Sequence, residues 1–225
     1  MEHKAKEIKF VATPAKGEVS ALLLRPEKAT HLLVLGHGAS TNMRHATLER
    51  IAQRLADVGI ATFRYNFPYS EKGHGRDSAA TCTATVRAAA AAAHQHAPDL
   101  TLLAGGFSFG GRMTTTAASE SPIEHVAGLV LFSFPLHPPG SPDTKRAEHL
   151  NGVTVPMLFL SGTRDTLADL SLLDPVLKKL ENRATLHLLD TADHGFKALK
   201  RTRVSTEDVF DEAARVVAEW ASRLS

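Results

Sequence analysis

Cys82 is the one cysteine in this 225-residue chain, which also holds a single tryptophan and two tyrosines. A lone thiol closes no internal disulfide, so the fold must rest on its core, and paired-cysteine metal sites are excluded. Cys82 itself falls in a helix-like run and reads as a small buried residue, not a nucleophile. A His-Glu-x-x-His signature is missing as well, and the twelve histidines are scattered. His187 lies in a strand-like run, while His94 and His96 end an alanine-rich run on roughly opposite faces, so metal catalysis has little support. No apolar stretch is long enough to span a bilayer. Met1-Glu2-His3-Lys4-Ala5-Lys6-Glu7 lacks the apolar centre of a signal peptide, which makes the cytoplasm the expected compartment. With a net charge of only +2 there is no nucleic-acid footprint, and the four cations between Lys197 and Arg203 read as a solvated loop. Linkers, repeats and low-complexity segments are absent, so residues 1–225 are expected to form one domain. A hydrophobic content of 43% beside 22% charged residues suits a soluble globular chain.

What the chain does have is Gly105-Gly106-Phe107-Ser108-Phe109-Gly110-Gly111. Ser108 sits in a Gly-x-Ser-x-Gly pentapeptide, between the apolar run Leu100–Ala104 and a helix-like run from Gly110 to Glu120. A serine hydroxyl is a poor nucleophile until a sharp strand-to-helix turn projects it towards a base and oxyanion donors. Glycines at 106 and 110 suit such a turn, where side chains would crowd the backbone. An incidental serine in a glycine-rich turn is the competing reading of the pentapeptide alone.

A base and an acid are then needed, in the chain order Ser, Asp or Glu, His. Val155–Gly162 reads as a buried strand, and Asp165 follows at its carboxyl end as the acid candidate. Ala184–Leu189 reads as another, and its following loop carries His194, the base candidate. Asp169 and Asp174 compete with Asp165 but suit the first turn of a helix running to Leu180; Asp190 and Asp193 suit turns. Loops at the carboxyl ends of strands are where open α/β sheets place their chemistry. For the oxyanion, the amides of Phe109 and of Ala39, in the loop after the strand-like run Thr30–Leu35, are the expected donors. His37 in that loop either buttresses it or transfers a proton, and the first is favoured. No cofactor is expected, since Gly36-His37-Gly38 and the elbow glycines do not complete G-x-G-x-x-G.

Alternation of strand and helix runs through the rest. Glu7–Ala12 and Val19–Arg25 suggest a hairpin. Helices are expected near 44–58 and over Ala79–His96, with strands at Ile60–Tyr65 and Val126–Phe132 between the helical runs. A last helix should start near Ser205, with Asp208 completing a capping box. Repeated β-α units imply an α/β fold: a mainly parallel, doubly wound sheet, with helices on both faces and an antiparallel hairpin at its N-terminal end. Between Phe134 and Asn151 there is too little chain for a helical lid. The site should therefore be open and shallow, with Phe107, Phe109, Leu136 and His137 near its rim. Arg146, in the Pro135–Leu150 loop, either meets an anionic substrate or belongs to a solvated connection.

Together with the elbow, Leu35–Ala39, Phe63–Tyr69, Phe134–Gly140 and Arg146–Leu150 resemble the α/β-hydrolase superfamily, within it the small dienelactone-hydrolase-like proteins. The resemblance spans roughly residues 20 to 222. It implies the α/β-hydrolase fold, with Ser108 as nucleophile, Asp165 as acid and His194 as base. Serine replaces the cysteine of dienelactone hydrolase itself, so a small ester or thioester is the expected substrate, without nucleic acid or membrane as partner. Related animal proteins include a testis-expressed protein and a subunit of a chromatin acetyltransferase complex. A non-catalytic interaction module that binds a protein partner therefore stays open, as does a peptidase or acyltransferase.

Overall fold

Strands buried on both faces need continuous apolar runs, and the middle of this chain supplies them. A computed structural model describes residues 3–73, 75–199 and 201–224; Met1 and Glu2 of the amino-terminal run and Lys200 of the cationic run lie outside the described residues. Eight strands form one sheet: β1 (Lys6–Thr13), β2 (Gly17–Leu24), β3 (His31–Gly36), β4 (Ile60–Tyr65), β5 (Thr101–Phe107), β6 (Val126–Phe132), β7 (Met157–Gly162) and β8 (Ala184–Leu189). They lie in the order β1-β2-β4-β3-β5-β6-β7-β8. The first two pair antiparallel, β2 meets β4 antiparallel, and every later pairing is parallel. Every residue of β3, β4 and β7 is buried.

Helices cover both faces. On one, α1 (Ala46–Asp57) buries Leu48, Ile51 and Leu55 and packs with α6 (Val209–Ala221), whose Phe210, Val217 and Trp220 join the same core. Each such side chain taken from water contributes ~1.5–3 kcal/mol. On the other lie α3 (Ala79–His96), α4 (Phe109–Glu120) and α5 (Leu170–Lys178). The alanines of α3 allow close packing there; Cys82, fully buried among them, has its thiol pushed up to about 11 by burial.

Three local details depart from the sequence pattern. Asp208 is itself the N-cap of α6 and accepts from the Phe210 amide at 3.0 Å, so the helix starts at Val209, not near Ser205. The Ser205 hydroxyl accepts from Glu207 in the turn before it. Between β4 and α3 stands a one-turn helix, α2 (Pro68–Lys72), opened by proline and stopped by Gly73 in the left-handed region, and too short for helical periodicity to mark. A 3-10 stretch, Lys145–Gly152, fills the connection from β6 to β7, which carries no α-helical lid.

The site is positioned by a contact between backbones. At the carboxyl ends of β3 and β5, Gly36 and Gly106 approach the first turn of α4 at Gly110. A Cβ added to Gly106 would stand 2.5 Å from the Gly110 carbonyl carbon and 2.8 Å from the Gly36 carbonyl oxygen. One added to Gly110 would fall onto the Gly36 carbonyl. Both neighbours are backbone, one in a paired strand and one in a helical turn, so neither can yield cheaply.

His37, next in the chain, is fully buried and holds the β3–α1 loop to the segment after β4. Its Nε2 accepts from the Phe67 amide at 3.2 Å and lies 2.9 Å from Ser70 Oγ, while Nδ1 donates to the Gly38 carbonyl at 2.7 Å. Burial drives its pKa down to about 4 from 6.5, so the ring is neutral and serves as the buttress.

Gly110→Ala should cost ~3 kcal/mol or more in urea unfolding, whereas Gly75→Ala, with nothing within 4 Å of the added methyl, should stay within ~0.5 kcal/mol. Equal effects would refute the contact as the constraint. For His37, the unfolded state binds a proton near 6.5 and the folded state only near 4. Between those values the unfolded chain holds more protons, so stability is whole above 6.5 and declines towards 4, by at most ~3 kcal/mol. Unfolding of His37→Gln should depend less steeply on pH across this window; an unchanged slope would remove His37 as its source.

Candidate active site

Ser108 occupies the turn that this close approach enforces. Its backbone, at φ 53° and ψ −114°, lies where residues with a side chain are strained. The strain is held from two sides: the Ser108 amide donates to Phe132 of β6 at 2.8 Å, and its carbonyl accepts from Arg112 in α4 at 3.1 Å. The hydroxyl is thereby lifted above the carboxyl edge of the sheet.

His194 reaches it from the loop after β8. Asp193 shapes that loop, its Oδ1 accepting from the amides of Gly195 and Lys197, both at 2.9 Å. The ring packs edge-on to Phe107, 5.8 Å between centroids, and Nε2 lies 2.8 Å from Ser108 Oγ. On the far side Nδ1 is 2.9 and 2.8 Å from the two carboxylate oxygens of Asp165. Asp165 follows β7, its side chain wholly inaccessible, with Oδ1 also accepting from the Leu167 amide at 2.8 Å. A carboxylate accepts only, so Nδ1 carries the proton and the Nε2 lone pair faces the serine hydroxyl. Asp169 stays apart, capping α5 by accepting from the Ser171 amide at 2.9 Å.

The remaining candidate residues take different places. Phe109 begins α4, its ring against Phe67 and Tyr69, and the Ala39 carbonyl accepts from Tyr69 Oη at 3.0 Å. Among the described residues neither the Ala39 nor the Phe109 amide donates to a protein acceptor. Phe107 forms the wall between His194 and Phe196. Leu136 and His137, expected at the rim, are buried instead. His137 is spent on structure: Nε2 accepts from the Asp169 amide at 3.1 Å and Nδ1 donates to the Pro138 carbonyl at 3.0 Å. Arg146 is half-buried and donates to the His137 carbonyl at 3.0 Å.

Beside His194 opens a cavity of about 680 Å³ whose lining includes Arg50, Arg164 and Lys197. No sequence motif marked Arg50, Arg164 or Arg112, and Lys197 reads in the sequence only as part of the solvated cationic run; the four-residue step from Ser108 along α4 is the one signal that points to Arg112. The described residues include no group of three or more His, Cys, Asp or Glu able to hold a metal ion, and no helix long and apolar enough to cross a membrane.

Known structures share this architecture. A dienelactone hydrolase from Anabaena variabilis superposes with a TM-score of 0.73 at 20% identity, over 98% of this chain and 99% of that one. An α/β serine hydrolase without lid from Xanthomonas campestris gives 0.74 at 21%, over 96% and 95%. The esterase domain of a Rhodothermus marinus protein gives 0.72 at 17%, over 99% and 100%. At such identities the likeness speaks for the fold. Residues 29–222 match the model of the alpha/beta hydrolase domain, and with the strand order and elbow just described the chain belongs to that family.

Proposed function

We propose that this protein is a serine hydrolase that cleaves small carboxylic esters or thioesters through an acyl-enzyme on Ser108. The observation that carries the reading is the hydrogen-bonded chain from Asp165 through His194 to Ser108, set on a strained elbow. His194 Nε2 takes the hydroxyl proton as Oγ bonds to the substrate carbonyl carbon. Asp165 holds the ring in the needed tautomer and steadies the imidazolium. The amides of Ala39 and Phe109 receive the oxyanion. On collapse the bond to the alcohol or thiol breaks, and His194 returns the proton to that leaving group. Water, deprotonated by His194, then attacks the acyl carbon, releasing the acid and restoring Ser108. The reaction as written uses no cofactor. Cytoplasmic residence belongs to the same proposal, as does the ester preference; the structural relatives described as esterases lend support to the latter. The dienelactone-hydrolase-like subgroup with scaffold relatives in animals rests on the residue resemblance at 134–150.

A fluorophosphonate probe should label the folded protein at Ser108, and labelling should vanish in Ser108→Ala and fall strongly in His194→Ala. Asp165→Asn should keep the fold and lose up to ~10⁴-fold in kcat, the size of the effect in the serine-protease triad. Wild-type protein that neither labels nor hydrolyses esters in a Ser108-dependent way would overturn the enzyme reading and favour an interaction module. Because the β6–β7 connection brings no helical lid over the site, acetyl and butyryl esters should turn over faster than long-chain esters; the reverse order would remove the open-site account.

A further inference from the structure

Arginines that this fold buries wholly or in part are each given at least one acceptor. Arg64 pairs with Glu49, Arg203 with Glu212, Arg87 donates to the carbonyls of Ala117, Pro122 and Ser121, and Arg183 to those of Asn151 and Val153. Arg112 breaks the pattern. It is half-buried on α4, one turn beyond Ser108, yet among the described residues its guanidinium meets neither a carboxylate nor a carbonyl. Its charged neighbours make matters worse. Burial first, then the positive charges of Arg146 and Arg76, hold its pKa below the usual arginine value, and no acid offsets them.

The neighbours are themselves uncommitted to acids. Arg76 lies over the Phe109 ring, 5.0 Å from its centroid, and Arg146 spends one nitrogen on the His137 carbonyl; neither forms an ion pair among the described residues. His149, bonded to Thr115 Oγ1 at 2.8 Å, is lowered to about 4 by burial and by Arg112, so it stays neutral at pH 7. His149 ties the 3-10 stretch that carries Arg146 to α4 beside Arg112, so these guanidinium donors stand near one another with no acid to take them up, as an anion could.

We infer that Arg112, flanked by Arg146 and Arg76, forms an anion subsite that receives a carboxylate or phosphate on the acyl part of the substrate. The inference rests on the hydrolase reading for the word substrate. Its side follows from the proton path: the leaving atom must face His194, whose loop packs with Phe107, Phe196 and α6, so the acyl chain runs the other way, along α4. A guanidinium fork matches either oxyanion by paired N–H donors.

Two measurements decide it. The first compares kcat/KM for mono-4-nitrophenyl adipate with that for 4-nitrophenyl hexanoate, corrected for spontaneous hydrolysis. The second titrates folded Ser108→Ala protein with adipate and, separately, with inorganic phosphate. Wild type should favour the adipate ester, and Arg112→Gln should lower the adipate-to-hexanoate ratio by about tenfold or more, the scale of one charged hydrogen bond. Arg112→Lys should retain part of the preference, and Arg44→Gln, which loses only an exposed pair with Glu7, should leave the ratio unchanged. Should Arg112→Gln unfold, Arg146→Gln bears the same test with a smaller drop. Binding of adipate marks a carboxylate site, and binding of phosphate alone marks a phosphate site. A ratio near one in wild type, or one indifferent to both arginine variants, together with no anion binding, overturns the subsite while fluorophosphonate labelling of Ser108 leaves the hydrolase reading standing. Arginine-dependent anion binding in a protein whose Ser108 does not label separates them the other way.

Discussion

Everything at the active edge depends on three backbones meeting where no side chain fits. Gly36, Gly106 and Gly110 let the ends of two neighbouring parallel strands press against the first turn of α4. The helix can then start directly from the strand, and Ser108 between them has no room for a relaxed conformation. Strain at one residue, of order 1–3 kcal/mol, is sustained because the paired sheet on either side over-determines it. The hydroxyl is fixed by packing before any catalytic partner arrives.

Partners then come from the same edge for topological reasons. Parallel strands all end on one side, so the loops after β5, β7 and β8 converge without long excursions. Each loop is tied down: Asp165 by the Leu167 amide and His194 by the Asp193 turn, both at short range, and the β3–α1 loop by neutral His37, which reaches the segment after β4. His37, Asp193 and the Leu167 amide are spent on holding the site. Arg112 differs, and the contrast with the other wholly or partly buried arginines, each of which has at least one acceptor, is what gives it meaning.

Much of this was legible in the residues, for reasons that also explain what was not. The apolar runs with glycine or aspartate at their ends mark the strands and the loops that follow, and chain order then leaves Ser108, Asp165 and His194 few competitors. Asp169 could be set aside because an acid two residues before the Ser171 amide suits a cap, and it caps α5. Leu136 and His137 could not be placed, since their burial depends on how the loop folds back against α5 and no periodicity reports that. The start of α6 slipped for a similar reason: Ser205 and Asp208 are both good caps by type, and only the geometry at Phe210 chooses between them. Arg112 carries no motif, because its significance is the acceptor it lacks.

The bond between His194 and Ser108 joins residues 86 positions apart, and that with Asp165 spans 29. Ser108 itself leans on β6, which must already be in register with β5. The constellation thus closes only when β5, β6, β7 and β8 are paired in register, a long-range parallel pairing that belongs to a slow class of event in folding. Helices and the N-terminal hairpin rest on contacts nearer in sequence than these. On the proposed hydrolase reading, a newly synthesised copy of this protein acquires a reactive serine only when these strands have paired.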